Sequence, residues 1–171
     1  VDAAIEALGR RPGEGDEWVK AGPLKIFADG GVLYGSAFMR EPYGPGAVSL
    51  YRLADPDYRG DLRYTPEQFA TIVRTAHRLG WQMSAHVTGD AGADAVLDAV
   101  AAADRDRPIA DRRPTLIHAY FPHPETAARA ATLGVCVDTQ PAWYYKDGDA
   151  LAAALGGARL ERFIGLQEWL K

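Results

Sequence analysis

The sequence predicts an α/β fold made of parallel strand–helix units. Three observations carry that prediction. From Leu24 onward, short β-like runs alternate with amphipathic helical stretches, the pattern of parallel βα units. The helical stretches begin and end on recognisable capping residues, and each leads directly back into a strand. The composition agrees: 47% of the 171 residues are apolar and 25% are charged, as in a globular domain with one sizeable core.

The four strand runs are Leu24-Lys25-Ile26-Phe27-Ala28, Trp81 to Val87, Thr115 to Ala119 and Val135 to Gln140. Thr65-Pro66-Glu67-Gln68 opens a helix with an acceptor at the N-cap, proline at N1 and glutamine at N3. Phe69, Ile72, Val73, Ala76 and Leu79 follow at helical spacing, and Gly80 suits the left-handed stop. Asp90 is placed to cap a second helix buried through Ala93, Val96, Leu97 and Val100. Pro124-Glu125 opens a third, which carries Ala127, Ala130, Ala131 and Leu133 to Gly134. Two regions break the rhythm. Residues 29–64 are rich in Gly, Pro and Tyr and are far longer than an ordinary βα connection, so a functional loop over the C-terminal mouth of the strands is expected. Pro141 to Gly157 reads as a second irregular, aromatic-lined segment. Residues before Gly22 suggest a helix end and a turn.

Charge and hydropathy exclude several partners. A net charge of −4, with no Lys/Arg cluster interleaved with aromatics, argues against nucleic acid. Apolar runs stop well short of the roughly 20 residues that cross a bilayer, and no signal peptide opens the chain, so a soluble cytoplasmic protein is expected. The single cysteine, Cys136, forms no internal disulfide and reads as a small buried hydrophobe.

Strand alternation sorts the chemistry. Leu24, Ile26 and Ala28 form a helix-facing set, which turns Lys25 and Phe27 inward. An inward ammonium is normally paired, with Asp138 for example, or neutral, or chemically altered, because burying it alone costs several kcal/mol. In the second run Trp81, Met83 and Ala85 face outward and Gln82, Ser84 and His86 inward. In the third, Thr115 and Ile117 face outward and His118 inward. His86 and His118 thus end consecutive strands, where active sites of parallel barrels form, and their imidazoles are placed to share a metal ion. His77, off the buried stripe of its helix, and His123, at a helix start, read as solvated.

The segments Lys25-Ile26-Phe27-Ala28-Asp29-Gly30-Gly31, Ser84-Ala85-His86-Val87-Thr88-Gly89-Asp90-Ala91 and Leu116-Ile117-His118-Ala119 resemble successive strand motifs of the amidohydrolase superfamily, in its YtcJ-like branch. The similarity extends to Met39-Arg40-Glu41-Pro42-Tyr43 and Gln140-Pro141-Ala142-Trp143. The resemblance implies that the chain is strands 4 to 7, about half, of a TIM (β/α)8 barrel, a single partial metal-dependent hydrolase domain over residues 1–171. It implies a divalent metal, zinc above all, as one or two ions held by Lys25, His86 and His118, with Lys25 carboxylated to bridge two ions. It also implies hydrolysis of a C–N bond in a small amide-type substrate by a metal-activated water. Substrate choice is then expected to fall to Tyr34, Arg40 and Trp143.

The chain also departs from the family pattern. It contains no His-x-His, and no eighth-strand aspartate can be placed, so the general base is expected outside it. With Val1 in place of an initiator methionine and Lys171 following an apolar stretch, the chain reads as an internal piece of a longer protein. Its open strand edges are expected to pair with the missing segments or with a second copy. Alone, it is expected to be inactive, with Lys25 unmodified. Two rivals are a non-catalytic binding module on the same barrel and a metal-dependent phosphoesterase, the latter disfavoured because no second inward Lys or Arg is evident.

Overall fold

In the computed structural model, which describes residues 1–171, the four runs become strands β1 (Leu24–Phe27), β2 (Met83–Val87), β3 (Thr115–His118) and β4 (Cys136–Asp138). They form one parallel sheet in the order β1-β2-β3-β4, with Phe27 opposite His86, Val87 opposite His118 and Ile117 opposite Asp138. A parallel sheet whose spatial order follows the chain is the arrangement of a barrel segment, not of a doubly wound sheet whose order reverses.

Helices α3 (Pro66–Arg78), α4 (Asp90–Asp106) and α5 (Pro124–Thr132) connect the strands. Ala28, Ala85, Val87 and Leu116 on the sheet meet Phe69, Val73, Val96, Leu97, Val100 and Ala130 on the helices in the main core. The opposite face of the sheet is open, so Lys25 and Phe27 are exposed as strand alternation predicts. The desolvation problem of an inward ammonium is therefore relieved by water, and Lys25 takes no ion pair with Asp138.

The capping box at α3 forms as the sequence predicts. The Gln68 N–H donates to Thr65 Oγ1 at 3.3 Å and the Thr65 N–H donates to Gln68 Oε1 at 2.9 Å, while Gly80 takes φ +84°. Thr65→Ala should lower stability by about 1 kcal/mol in urea denaturation, with Thr65→Ser close to neutral.

Several expectations need correction. The N-cap of α4 is Gly89, not Asp90, which is the first helical residue. A Cβ on Gly89 would stand 2.0 Å from the Phe38 carbonyl oxygen, which is why glycine is needed where the long loop touches this helix start. The segment read as irregular after Pro141 is helix α6 (Ala142–Leu155), buried through Gly148, Leu151, Ala154 and Leu155. The Ala/Leu run Ala150–Leu155 supplies helix propensity that Gly148 and the aromatics mask in sequence. On β3 the parity is reversed: Leu116 lies in the main core, so Thr115 and Ile117 face inward. Short helices α1 (Asp2–Glu6), α2 (Pro45–Tyr51), α7 (Gly157–Leu160) and α8 (Leu166–Trp169) complete the chain, and no helix is long and apolar enough to cross a membrane.

Residues 29–64 lie on the C-terminal side of the sheet. Val32, Ala37, Met39, Tyr43 and Ala47 pack with Tyr120, Phe121, Leu151, Ala154, Leu155 and Phe163 in a second core, built from segments that follow the strand ends. The loop is closed at its base where the Arg63 N–H donates to the Ala28 carbonyl at 2.8 Å.

Candidate metal centre

The chemistry gathers where β2 and β3 end. Simple alternation would point His118 at the helices, since its register partner Val87 is buried in the main core. The backbone corrects this: His118 has φ +81° and Ala119 φ +43°. Left-handed conformations in non-glycine residues cost about 1–3 kcal/mol each and persist where the surroundings enforce them. Here the Ala119 N–H donates to the Val87 carbonyl at 2.8 Å, and the His118 ring meets His86 edge-on, centroids 4.6 Å apart. The two histidines are brought together by strained backbone at the strand's end, not by strand parity.

Each imidazole has one nitrogen committed to an oxygen. His86 Nε2 lies 3.1 Å from the Gly30 carbonyl, an acceptor only, so Nε2 carries the proton and Nδ1 keeps a lone pair. Gly30 can have no side chain, because a Cβ would stand 2.1 Å from Ser36 Oγ. His118 Nδ1 lies 2.6 Å from Gln140 Oε1, so Nδ1 donates and Nε2 keeps the lone pair. One nitrogen donating to an oxygen while the other stays free is the arrangement that orients metal-ligating histidines. Burial holds the His86 pKa below the ordinary imidazole value, opposed by the Gly30 contact and reinforced by the neighbouring His118, Lys25 and Arg63. The neutral ring is the ligating form, so these residues fit a cation.

Lys25 reaches along the open face, with Nζ 5.1 Å from the Phe27 ring centroid, and Phe27 in turn lies 4.8 Å from the His86 ring. No group of three or more His, Cys, Asp or Glu side chains is arranged to hold an ion.

The other singled-out residues are placed differently. Arg40 spends its guanidinium on structure: Nε and Nη2 pair with Asp94 at 2.8 and 2.9 Å, and Nη1 with Glu125 at 2.5 Å. It clamps the long loop to α4 and α5. Tyr34 is 82% exposed, and Trp143 lies half-exposed in the first turn of α6. His77 is not solvated but 4% exposed, with Nε2 3.1 Å from the Arg107 carbonyl, and it joins the ends of α3 and α4. His123 is also largely buried, its Nε2 2.9 Å from Asp90 Oδ2 and its Nδ1 2.8 Å from Arg162 Nη1.

Sequence reasoning did not single out Asp29, Arg63 or Gln140. Asp29 is fully buried. Its Oδ2 accepts N–H bonds from Phe38 (3.0 Å) and Gly89 (2.8 Å), and its Oδ1 accepts one from Thr88 (2.9 Å). That carboxylate ties the loop after β1 to the loop after β2, directly beside His86. Its place in a strand-ending Asp-Gly-Gly was the available signal.

Fold and site together define a class: a parallel βα-barrel segment with two histidines, each oriented by an oxygen, at adjacent strand ends. Comparison with known proteins narrows it. The model of the amidohydrolase family matches residues 1–171, and the chain belongs to that family. It is 32% identical over 146 residues to Protein LONG AFTER FAR-RED 3 of Arabidopsis thaliana, covering 84% of this chain and 23% of that protein. It is 29% identical over 144 residues to YtcJ of Bacillus subtilis (strain 168), covering 84% of this chain and 25% of that protein. The chain thus spans about a quarter of the length of these relatives. Among solved structures, an uncharacterized metal-dependent hydrolase from Pyrococcus furiosus superposes with a TM-score of 0.78 at 20% identity, over 98% of this chain and 32% of that one. One from Pyrococcus horikoshii OT3 gives 0.78 and 20%, over 99% and 31%. At that identity the likeness supports the fold alone.

Proposed function

We propose that the chain supplies the central strands of a cytoplasmic, zinc-dependent amidohydrolase that cleaves a C–N bond in a small amide-type substrate. The observation that carries this reading is the His86–His118 pair, each ring oriented by an oxygen and left with one free lone pair. Lys25 joins them as the third ligand, as amine or carbamate. A divalent ion, when bound, supplies Lewis acidity that lowers the pKa of water and polarises a carbonyl.

This chain's own residues do the rest that it can do. Gly30 and Gln140 hold the two rings in orientation. Phe27 packs beside the His86 ring and Tyr120 beside the His118 ring. Residues 29–64 form the active-site loop, with Tyr34 and Trp143 as candidate substrate contacts. Further ligands and the general base come from segments of the protein outside these strands, so the 171 residues alone are inactive and Lys25 in them is unmodified.

A metal-dependent phosphoesterase is the second reading, since a metal-activated water also attacks phosphorus. The full-length protein loaded with zinc should release amine and carboxylate from simple N-acyl amines, and lose that activity to a chelator. Turnover of p-nitrophenyl phosphate with none of the amides would replace the first reading by the second. Zinc binding with turnover of neither would make the domain a binding module.

A further inference from the structure

We propose that Gln140 is a positioning residue that fixes the tautomer and orientation of His118. The inference deepens the metal-site reading and rests on it for its consequence, though not for its geometry. Gln140 follows β4 and reaches back one strand. Its Oε1 accepts from His118 Nδ1 at 2.6 Å, the shortest polar contact at either histidine.

An amide can turn over and offer its NH2 instead, which would impose the opposite tautomer on the ring. Asp138 prevents this. Gln140 Nε2 donates to the Asp138 backbone carbonyl at 3.1 Å and to Asp138 Oδ1 at 3.2 Å, both acceptors. A reversed amide would lose those two bonds and set its oxygen against two oxygens. The Tyr120 hydroxyl, 3.2 Å from Gln140 Oε1, lends a further donor to the same oxygen. Two donors therefore converge on one amide oxygen, whose own NH2 is tied to Asp138, and the proton is held on His118 Nδ1. That leaves Nε2 as the free lone pair, on a ring whose backbone is already constrained at φ +81°.

Removing the amide changes the proton's best position. Tyr120 Oη is also 3.2 Å from His118 Nδ1. In Gln140→Leu that hydroxyl, freed of its acceptor, donates to Nδ1, and the imidazole proton moves to Nε2, the nitrogen a metal would need. Gln140→Glu keeps an acceptor facing Nδ1 and so keeps the original tautomer, even though its carboxylate loses the bonds to Asp138. Tyr120→Phe leaves the tautomer unchanged.

The test uses the full-length protein with 15N-labelled histidine. Long-range 15N–1H correlation spectra of the metal-free protein report the tautomer, and competition with a chromophoric chelator reports zinc affinity. The expected result is Nδ1–H for His118 in the wild type, Gln140→Glu and Tyr120→Phe, and Nε2–H in Gln140→Leu, whose zinc affinity falls by about 10- to 100-fold. A folded Gln140→Leu protein that keeps Nδ1–H overturns the proposal. A tautomer that switches while zinc affinity stays the same upholds Gln140 as the positioning residue and removes His118 from the ligand set, which separates the two claims.

Discussion

Asp29→Ala in the full-length protein is expected to be the most destabilising single substitution around the site, by about 3–6 kcal/mol. The carboxylate is fully buried and accepts three backbone N–H bonds, from Phe38, Thr88 and Gly89. Deleting it strands three donors, each costing about 1–3 kcal/mol when left unsatisfied, against a total stability of about 5–15 kcal/mol for a typical domain. Asp29→Asn is nearly the same shape yet turns an NH2 towards at least one of those N–H groups, so a loss of about 2–3 kcal/mol is expected. Chemical denaturation measures both. The pH dependence has a definite sign. Burial pushes the Asp29 carboxyl up to about 6, against the pull of the three N–H bonds. The folded state therefore takes up this proton at higher pH than the unfolded state. The resulting stability is fully present below the ordinary aspartate value and is lost as pH rises through about 6. The stability gap between wild type and D29N should widen from pH 7 to pH 5. A gap that narrows would mean that the N–H bonds outweigh burial.

His86→Ala and His118→Ala in the full-length protein should each lower kcat/KM for the proposed amide substrate by on the order of 10³-fold, about 4 kcal/mol of transition-state stabilisation. His118→Gly separates chemistry from folding. Glycine takes φ +81° without the penalty a side chain imposes, so this variant should fold and still be inactive. His77→Ala provides the contrast. His77 is buried between the ends of α3 and α4, away from the strand mouths, so the variant should lose stability while the molecules that remain folded keep their turnover.

Much of the architecture was legible because it rests on local rules. The capping box at Thr65, the left-handed Gly80 and the alternation that exposes Lys25 and Phe27 on the open face all follow from neighbours in sequence. What sequence hid depends on partners far along the chain. The oxygen opposite His86 belongs to Gly30, and the one opposite His118 belongs to Gln140. His77 and His123 look like surface residues until Arg107, Asp90 and Arg162 are folded against them. His118 is the instructive case. Sequence alternation turned it inward from the wrong starting parity. The fold reaches the same outcome through a left-handed residue that no glycine announces.

The cation proposed to be shared by His86 and His118 at the strand ends is open to anomalous diffraction at the zinc edge, from crystals of the full-length protein grown with zinc. The expected result is a peak bonded to His86 Nδ1 and His118 Nε2, with Gly30 and Gln140 still on the opposite nitrogens. A zinc ion bound elsewhere, with these two rings uncoordinated, would contradict it.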